Sequence, residues 1–434
     1  MQCFLENKTF DLLAVAAPNP DRLVGNSFFV PVVCSGCDFM TGLSIPVALD
    51  ALRHQFPALQ AKAYFNYGGQ GPMPQAALDA IAQSFQNVQQ CGPFSNAAGV
   101  WVGQEAEQTR RAIAQELGVE PETITLTEDV SMGCNIALWG IDWRLGDHLL
   151  LSDCEHPGII AAAQEIARRF GVEVTTCPLQ DTLNQGDPVA IVASQLKPST
   201  RLVVLSHILW NTGQVLPLAE IVAACHSYSL SRPVRVLVDA AQSVGVLPLN
   251  LAELKADFYA FTGHKWWCGP EGVGGLYVRP EVIDTLQPTF VGWRSITMDA
   301  IGKPTGWKPD GRRYEVATSA YPLYAGLRQA IAMHHQFGTA TERYYQICHR
   351  STLLWQKLAQ IPTVSCLRQS PPQAGLVSFQ LPGKSHLQLI RFLEARNIML
   401  RTILSPDCVR ACVHYFTVEA EIEQLVAAIA EFKD

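Results

Sequence analysis

Residues 258–278 read Phe258-Tyr-Ala-Phe-Thr-Gly-His-Lys-Trp-Trp-Cys-Gly-Pro-Glu-Gly-Val-Gly-Gly-Leu-Tyr-Val278. Two short apolar runs, Phe258–Phe261 and Gly274–Val278, have the length of strands. Between them lies a turn carrying Thr262, His264 and Lys265 beside Trp266 and Trp267. A strand that ends in a lysine-bearing loop suggests an open sheet with its chemistry at the strand ends.

Working outward, the strands Ile124–Thr127, His148–Ser152, Val172–Thr176, Arg201–Ser206 and Val234–Val238 are separated by helical patterns such as Pro157–Phe170 and Leu218–His226. Alternation of this kind predicts an α/β fold with a mostly parallel seven-stranded sheet covered on both faces. Val234–Val238 is apolar at most positions, as a doubly covered strand should be. After Pro304 the pattern changes. Helices over Pro322–Phe337 and Glu342–Leu358 precede short strands such as Leu376–Gln380 and a closing helix over Val418–Phe432. The expected organisation is an N-terminal extension over residues 1–45, a large domain over 46–304 and a smaller α+β C-terminal domain over 305–434. The stretch 46–70 is expected to pack against one of the two domains, with the small one a candidate.

Composition excludes several classes. With 434 residues the chain exceeds one ordinary domain, and 48% hydrophobic content is too high for a disordered one. Only 16% of residues are charged, which favours a buried subunit interface. A net charge of −7 offers no basic field for nucleic acid or an anionic membrane. No uncharged apolar run reaches the roughly 18 residues that a membrane helix needs. Thirteen scattered cysteines suit a reducing cytoplasm better than a disulfide framework. Cys34 and Cys37 form a lone C-x-x-C with no second ligand pair nearby, so no metal site is expected. Glu6, Lys8 and Asp11 interrupt any signal-peptide core, and residues 1–45 read as a loosely ordered tail.

The chemistry gathers at predicted strand ends. Asp239 ends Val234–Val238, while Thr262, His264 and Lys265 follow Phe258–Phe261. Asp153, Glu155 and His156 follow His148–Ser152. Singly these are commonplace: a strand-end Asp is usually a cap, a Lys a surface charge and a His structural. Together they suit pyridoxal phosphate, which needs a lysine amine for its aldehyde and an acid to keep its pyridine nitrogen protonated. Asp129-Val130-Ser131-Met132-Gly133, between a strand and a helix, could supply amides to the phosphate.

The segment Phe261–Tyr277 resembles the lysine segment of the class V aminotransferase and cysteine desulfurase family, of pyridoxal phosphate fold type I. The likeness runs from about Phe56 to the C-terminus. Four passages resemble its cystine C–S lyase branch: Asp153-Cys-Glu-His-Pro-Gly-Ile-Ile, Leu209-Trp-Asn-Thr-Gly-Gln-Val-Leu-Pro-Leu-Ala-Glu-Ile, Val291-Gly-Trp-Arg-Ser-Ile-Thr and Glu315-Val-Ala-Thr-Ser-Ala-Tyr-Pro. The resemblance implies that Lys265 holds the cofactor and moves the Cα proton, Asp239 pairs with the pyridine nitrogen and His156 covers the ring. It also implies Gln242 and Asn211 near the ring hydroxyl. Ser131, Thr262, His264 and the Met132 amide would serve the phosphate. Arg401 and Arg410 would bind substrate carboxylate. Trp293 and Ser295 would reach the site from the second subunit of a homodimer.

The implied activity is β-elimination of cystine or cysteine to pyruvate, ammonia and a persulfide or sulfide, with a link to iron–sulfur assembly and a persulfide acceptor. A cysteine desulfurase is the main alternative. It would need a nucleophilic thiol, and Cys366 and Cys408 are the candidates. A class V aminotransferase and a non-catalytic scaffold of the same fold are the others.

Overall fold

A computed structural model describes residues 45–228 and 232–433. The tail with its Cys34 and Cys37 lies outside the described residues, apart from residue 45. Seven strands form the principal sheet: β1 Ile124–Thr127, β2 His148–Ser152, β3 Glu173–Cys177, β4 Thr200–Ser206, β5 Arg235–Asp239, β6 Phe258–Thr262 and β7 Gly274–Val278. Their spatial order is β1-β7-β6-β5-β4-β2-β3. The pairs β2–β3, β2–β4, β4–β5 and β5–β6 are parallel, and β7 alone runs antiparallel to its neighbours β1 and β6. The mostly parallel α/β sheet expected from the sequence is present, with strand bounds matching to within a residue or so.

Local chemistry sets the helix starts. In helix α1, Val130–Gly140, the Asp129 carboxylate caps the first turn by accepting from the Met132 amide. In helix α2, Pro157–Phe170, His156 is the cap and Pro157 takes the first position, where a missing N–H costs nothing. Both helices therefore start at the carboxyl edge of a strand. Helix α1 lies close on the sheet, because a Cβ at Gly133 would approach the Ala260 Cβ to 2.9 Å.

A second sheet, with β8 Ser365–Cys366, β9 Leu376–Gln380, β10 Arg401–Leu404 and β11 Asp407–Cys412, is ordered β8-β9-β11-β10 and antiparallel throughout. Its core gathers Phe379, Val409, Leu389, Ile422 and Leu425, and also Ala63 and Phe65 from the start of the chain. Ala63–Tyr64 pairs in parallel with Ile398–Met399. The segment after residue 50 thus packs on the C-terminal sheet before it turns toward the large one. Helix α3, Tyr321–Phe337, sends Tyr324, Leu327 and Ile331 into the core of the large sheet. Among the described residues no helix is long and apolar enough to cross a membrane.

Among the buried histidines of the described residues, three are strongly affected by their surroundings. Burial holds His207 and His334 down at about 4 and His414 well below its ordinary value. The unfolded chain, with histidines near about 6.5, therefore binds more protons in acid than the folded one. Their stabilising contribution is complete above about 6.5 and drains as pH falls toward 4. Thermal melts should move to lower temperature from pH 6.5 to 4.5, and a level melting temperature across that window would contradict the burial of these rings.

Candidate active site

A cavity of about 260 Å³ opens at the carboxyl ends of β2, β4, β5 and β6. It is lined by His156, Asp239, Gln242, His264 and Lys265 from the large sheet and by Arg401 and Arg410 from the small one. The placement follows from topology. Parallel strands deliver their last residues to one edge, and Ser206 and Asp239 are direct register partners there.

Asp239 is 5% exposed, and one carboxylate oxygen accepts the Ala241 amide at 2.9 Å. Burial pushes its pKa up, while the Ala241 hydrogen bond and the Lys265 amine oppose that rise. Lys265 is depressed to about 8, first by burial, with Asp239 pulling up and the two arginines pulling down. It is a reactive amine held beside a carboxylate rather than a solvated surface lysine. His156 is depressed by burial and by Lys265, so its ring is neutral near pH 7. Its Nδ1 accepts from the Gly158 amide at 3.2 Å, and the ring meets Trp210 edge-on at 5.5 Å.

His264 lines the cavity, and its Nδ1 is 2.6 Å from the Thr262 Oγ1, which is not part of the lining. Ser131 heads α1, where first-turn amides lack helix carbonyls to bond. The Met132 amide is committed to Asp129 at 2.8 Å, leaving Val130 and Ser131 as the amide donors there. Gln242 spends its Oε1 on Trp266 Nε1 at 3.0 Å and one Nε2 hydrogen on the Gly68 carbonyl at 2.9 Å. Asn211 holds the Ser405 carbonyl at 3.0 Å while its Oδ1 stays buried without a partner.

Arg401 and Arg410 face each other across the β10–β11 pair and so project from one face. Arg410 is fully buried, and its Nη1 donates to the Trp210 carbonyl at 2.6 Å. Its Nε and Nη2 have no partner. No carboxylate in the described residues pairs with either arginine. Directly opposed like charges destabilise a strand pair unless an anion lies between them.

Trp293 and Ser295 do not join this group within one chain. Trp293 is 57% exposed on the surface. Ser295 is buried, and its hydroxyl is spent on the Glu315 carbonyl at 2.9 Å and the Gly292 amide at 3.1 Å.

The sequence reading gave no role to Gly68, Gly69, Ser206, Trp210 or Glu155. Gly68 is required by crowding, since a Cβ there would meet Arg410 Nη2 at 2.8 Å and Gln242 Oε1 at 2.9 Å. Glu155 is buried beside Asp239 and binds the Ser206 amide and hydroxyl at 2.9 Å each, with the Ser152 hydroxyl as third partner. Burial, reinforced by Asp239, lifts it to about 8, so it is mostly neutral at pH 7 and leaves Asp239 as the anion. Its place next to His156 was the available signal.

The residues present fit pyridoxal phosphate. They supply a buried amine, an acid with one free edge, a neutral ring and a hydroxyl-and-amide end for phosphate. Unpartnered buried polar atoms on Trp210 and Arg410 belong to residues that line the same space. The family described as Aminotransferase class-V matches residues 63–426. Two solved structures of the protein C-DES are each 55% identical, cover 88% of this chain at TM-score 0.86, and are themselves covered over 99% and 100% of their length. One is a mutant with glycine covalently linked to the PLP cofactor. The other is a complex between the cystine C-S lyase and its reaction product cysteine persulfide. Isopenicillin N epimerase of Streptomyces clavuligerus is 28% identical over 386 residues, covering 84% of this chain and 93% of its own. A cysteine desulfurase of Cronobacter sakazakii is 28% identical over 412 residues, covering 88% and 97%. With its sheet order, its lysine-bearing loop and this match in agreement, the chain belongs to the aminotransferase class-V family of pyridoxal phosphate enzymes.

Proposed function

We propose that the chain is a carbon–sulfur lyase that cleaves cystine, or a related sulfur amino acid, by β-elimination. The observation that carries this reading is the opposed Arg401–Arg410 pair, without a counter-charge, above Lys265 and Asp239. Each guanidinium can make a bidentate pair with a carboxylate, and cystine offers two. The 55% identity to the cystine C-S lyase C-DES supports the same substrate class.

Pyridoxal phosphate, when bound, would supply an electron sink for negative charge at the substrate Cα. Lys265 Nζ would hold the cofactor aldehyde and, once free, would take the substrate Cα proton, a task suited to an amine depressed to about 8. Asp239 holds positive charge at the pyridine nitrogen, and neutral Glu155 leaves that charge a single buried anion to face. His156 covers the ring, with Gln242 and Asn211 near its hydroxyl. Ser131, Thr262, His264 and the first-turn amides hold the phosphate. Arg401 and Arg410 orient the substrate so that Cα faces the lysine. Cystine and water then yield pyruvate, ammonia and cysteine persulfide.

A desulfurase needs a nucleophilic thiol, usually on a mobile loop of the small domain. Here only the turn Ser405-Pro406 joins β10 to β11, with Leu404 paired to Asp407. Cys408 is fully buried and pushed up to about 12, and Cys366 is half-buried and pushed up to about 11. Neither is a poised thiolate.

The reading includes a homodimer that brings the partner's surface against the cavity. The exposed Phe290, Val291 and Trp293 support such an interface. It also includes a large domain over residues 46–304 and a small one over 305–434, supported by the separate cores of the two sheets, although α3 packs with the first. A cytoplasmic place is supported by the ten described cysteines, all free thiols. A persulfide acceptor in iron–sulfur assembly would follow from the product.

Product analysis with cystine and with cysteine tests the assignment. Pyruvate and ammonia are expected, also from the Cys366→Ser/Cys408→Ser double variant; alanine as product, or loss of turnover in that variant, would overturn it. Arg401→Gln should raise the KM for cystine by about tenfold or more, the loss of one charge-assisted bond. An unchanged KM would remove Arg401 from the site. Capture of pyridoxal phosphate by the apoprotein needs neutral Lys265, so its rate should climb with pH to a midpoint near 8. A midpoint at the ordinary lysine value, about 10.4, would contradict the burial of that amine.

A further inference from the structure

Four consecutive carbonyls in the lysine loop are each bound, and three of the donors come from distant parts of the chain. The Gly71 amide donates to the His264 carbonyl at 2.8 Å, and the Cys268 amide closes the turn on the Lys265 carbonyl at 3.0 Å. His414 Nε2 lies 3.0 Å from the Trp266 carbonyl, and His334 Nε2 lies 2.8 Å from the Trp267 carbonyl. A carbonyl only accepts, so each ring carries its hydrogen on Nε2. For His334 the other nitrogen then accepts from the Tyr415 hydroxyl at 2.8 Å. For His414, Nδ1 is a bare lone pair with no partner.

The two rings stack at 5.6 Å and 26°, and His414 is also stacked on Phe416 at 4.2 Å and on Trp266 at 5.8 Å. Both are almost wholly buried. An imidazole buried with an empty nitrogen costs free energy that an apolar ring would not. What it provides in return is the bond to the loop. His334 stands on α3. His414 follows β11 by two residues and shares the strand parity of Arg410, so arginine and histidine project from one side of the same chain segment.

We propose that His414 and His334 are positioning residues for Lys265. They fix its loop by the backbone carbonyls, and His414 ties the lysine's place to the strand that carries Arg410. Binding of a substrate carboxylate at Arg410 and the aim of the lysine amine are thereby set by one rigid segment. This inference rests on the reading that Lys265 holds the cofactor.

The test uses the cofactor-loaded enzyme. His414→Phe keeps the stack and removes the donor. His414→Gln keeps an amide donor close to the Nε2 position. His414→Asn, whose shorter amide falls short of the Trp266 carbonyl, replaces the Phe variant if that fails to fold. Loss of the donor should lower kcat by about tenfold, the effect of one hydrogen bond, with KM for cystine changed by less than about threefold. It should also move the pH midpoint of the visible absorbance and speed amide hydrogen exchange over residues 263–268. His414→Gln should restore all three. A donor-free variant with a lower melting temperature but unchanged kcat, midpoint and exchange would overturn the proposal, as would a Gln variant no better than Phe. Lys265→Ala separates the two readings. If it keeps the visible band, the lysine assignment itself fails; if it loses the band while the donor-free variant behaves as wild type, only the inference fails.

Discussion

The structure turns on a lysine amine kept out of water opposite a carboxylate kept out of water. Lys265 and Asp239 sit at the ends of adjacent parallel strands, β6 and β5, and burial works against the charge of both. Their attraction offsets part of that cost, and it requires the strand register to be right. A one-residue slip of β5 would turn Asp239 to the other face of the sheet. The close packing of α1 on β6 and β7 and the Glu155 bridge between β2 and β4 hold that register around the pair.

The second constraint is the charge surplus contributed by the small sheet. Two opposed guanidiniums and a nearby ammonium share the cavity with the carboxylates of Asp239 and Asp129, since Glu155 is mostly neutral. Such a site favours anionic groups, and the proposed phosphate at the Ser131–His264 end and carboxylate at the arginine end would meet that demand together. Electrostatics therefore orders the cavity along its length before any shape argument is made. The tight turn at Ser405-Pro406, held by Asn211, keeps the arginines in place and makes the connection between their two strands short.

Much of the fold was legible in the sequence. The strands of the large sheet are short, apolar and separated by helices, and local pattern is what sets their bounds. Lys265, Asp239 and His156 were legible because strand ends are where such sheets bind ligands. Arg401 and Arg410 were legible only through the family likeness, since nothing in their spacing announces that they are cross-strand neighbours. The commitment of the Ser295 hydroxyl to Gly292 and Glu315 is invisible without coordinates. The bond of the Met132 amide to the Asp129 cap is likewise seen only in the structure.

By itself the sequence determined the class of sheet and the placing of Lys265 and Asp239 at strand ends, because periodicity and strand-end position are local properties. Tertiary structure decided the rest. It set the protonation of Glu155, the neutrality of the buried histidines, the crowding that demands glycine at position 68 and the four bonds that fix the lysine loop. Each depends on which distant groups share a low-dielectric space, and no stretch of chain encodes that alone.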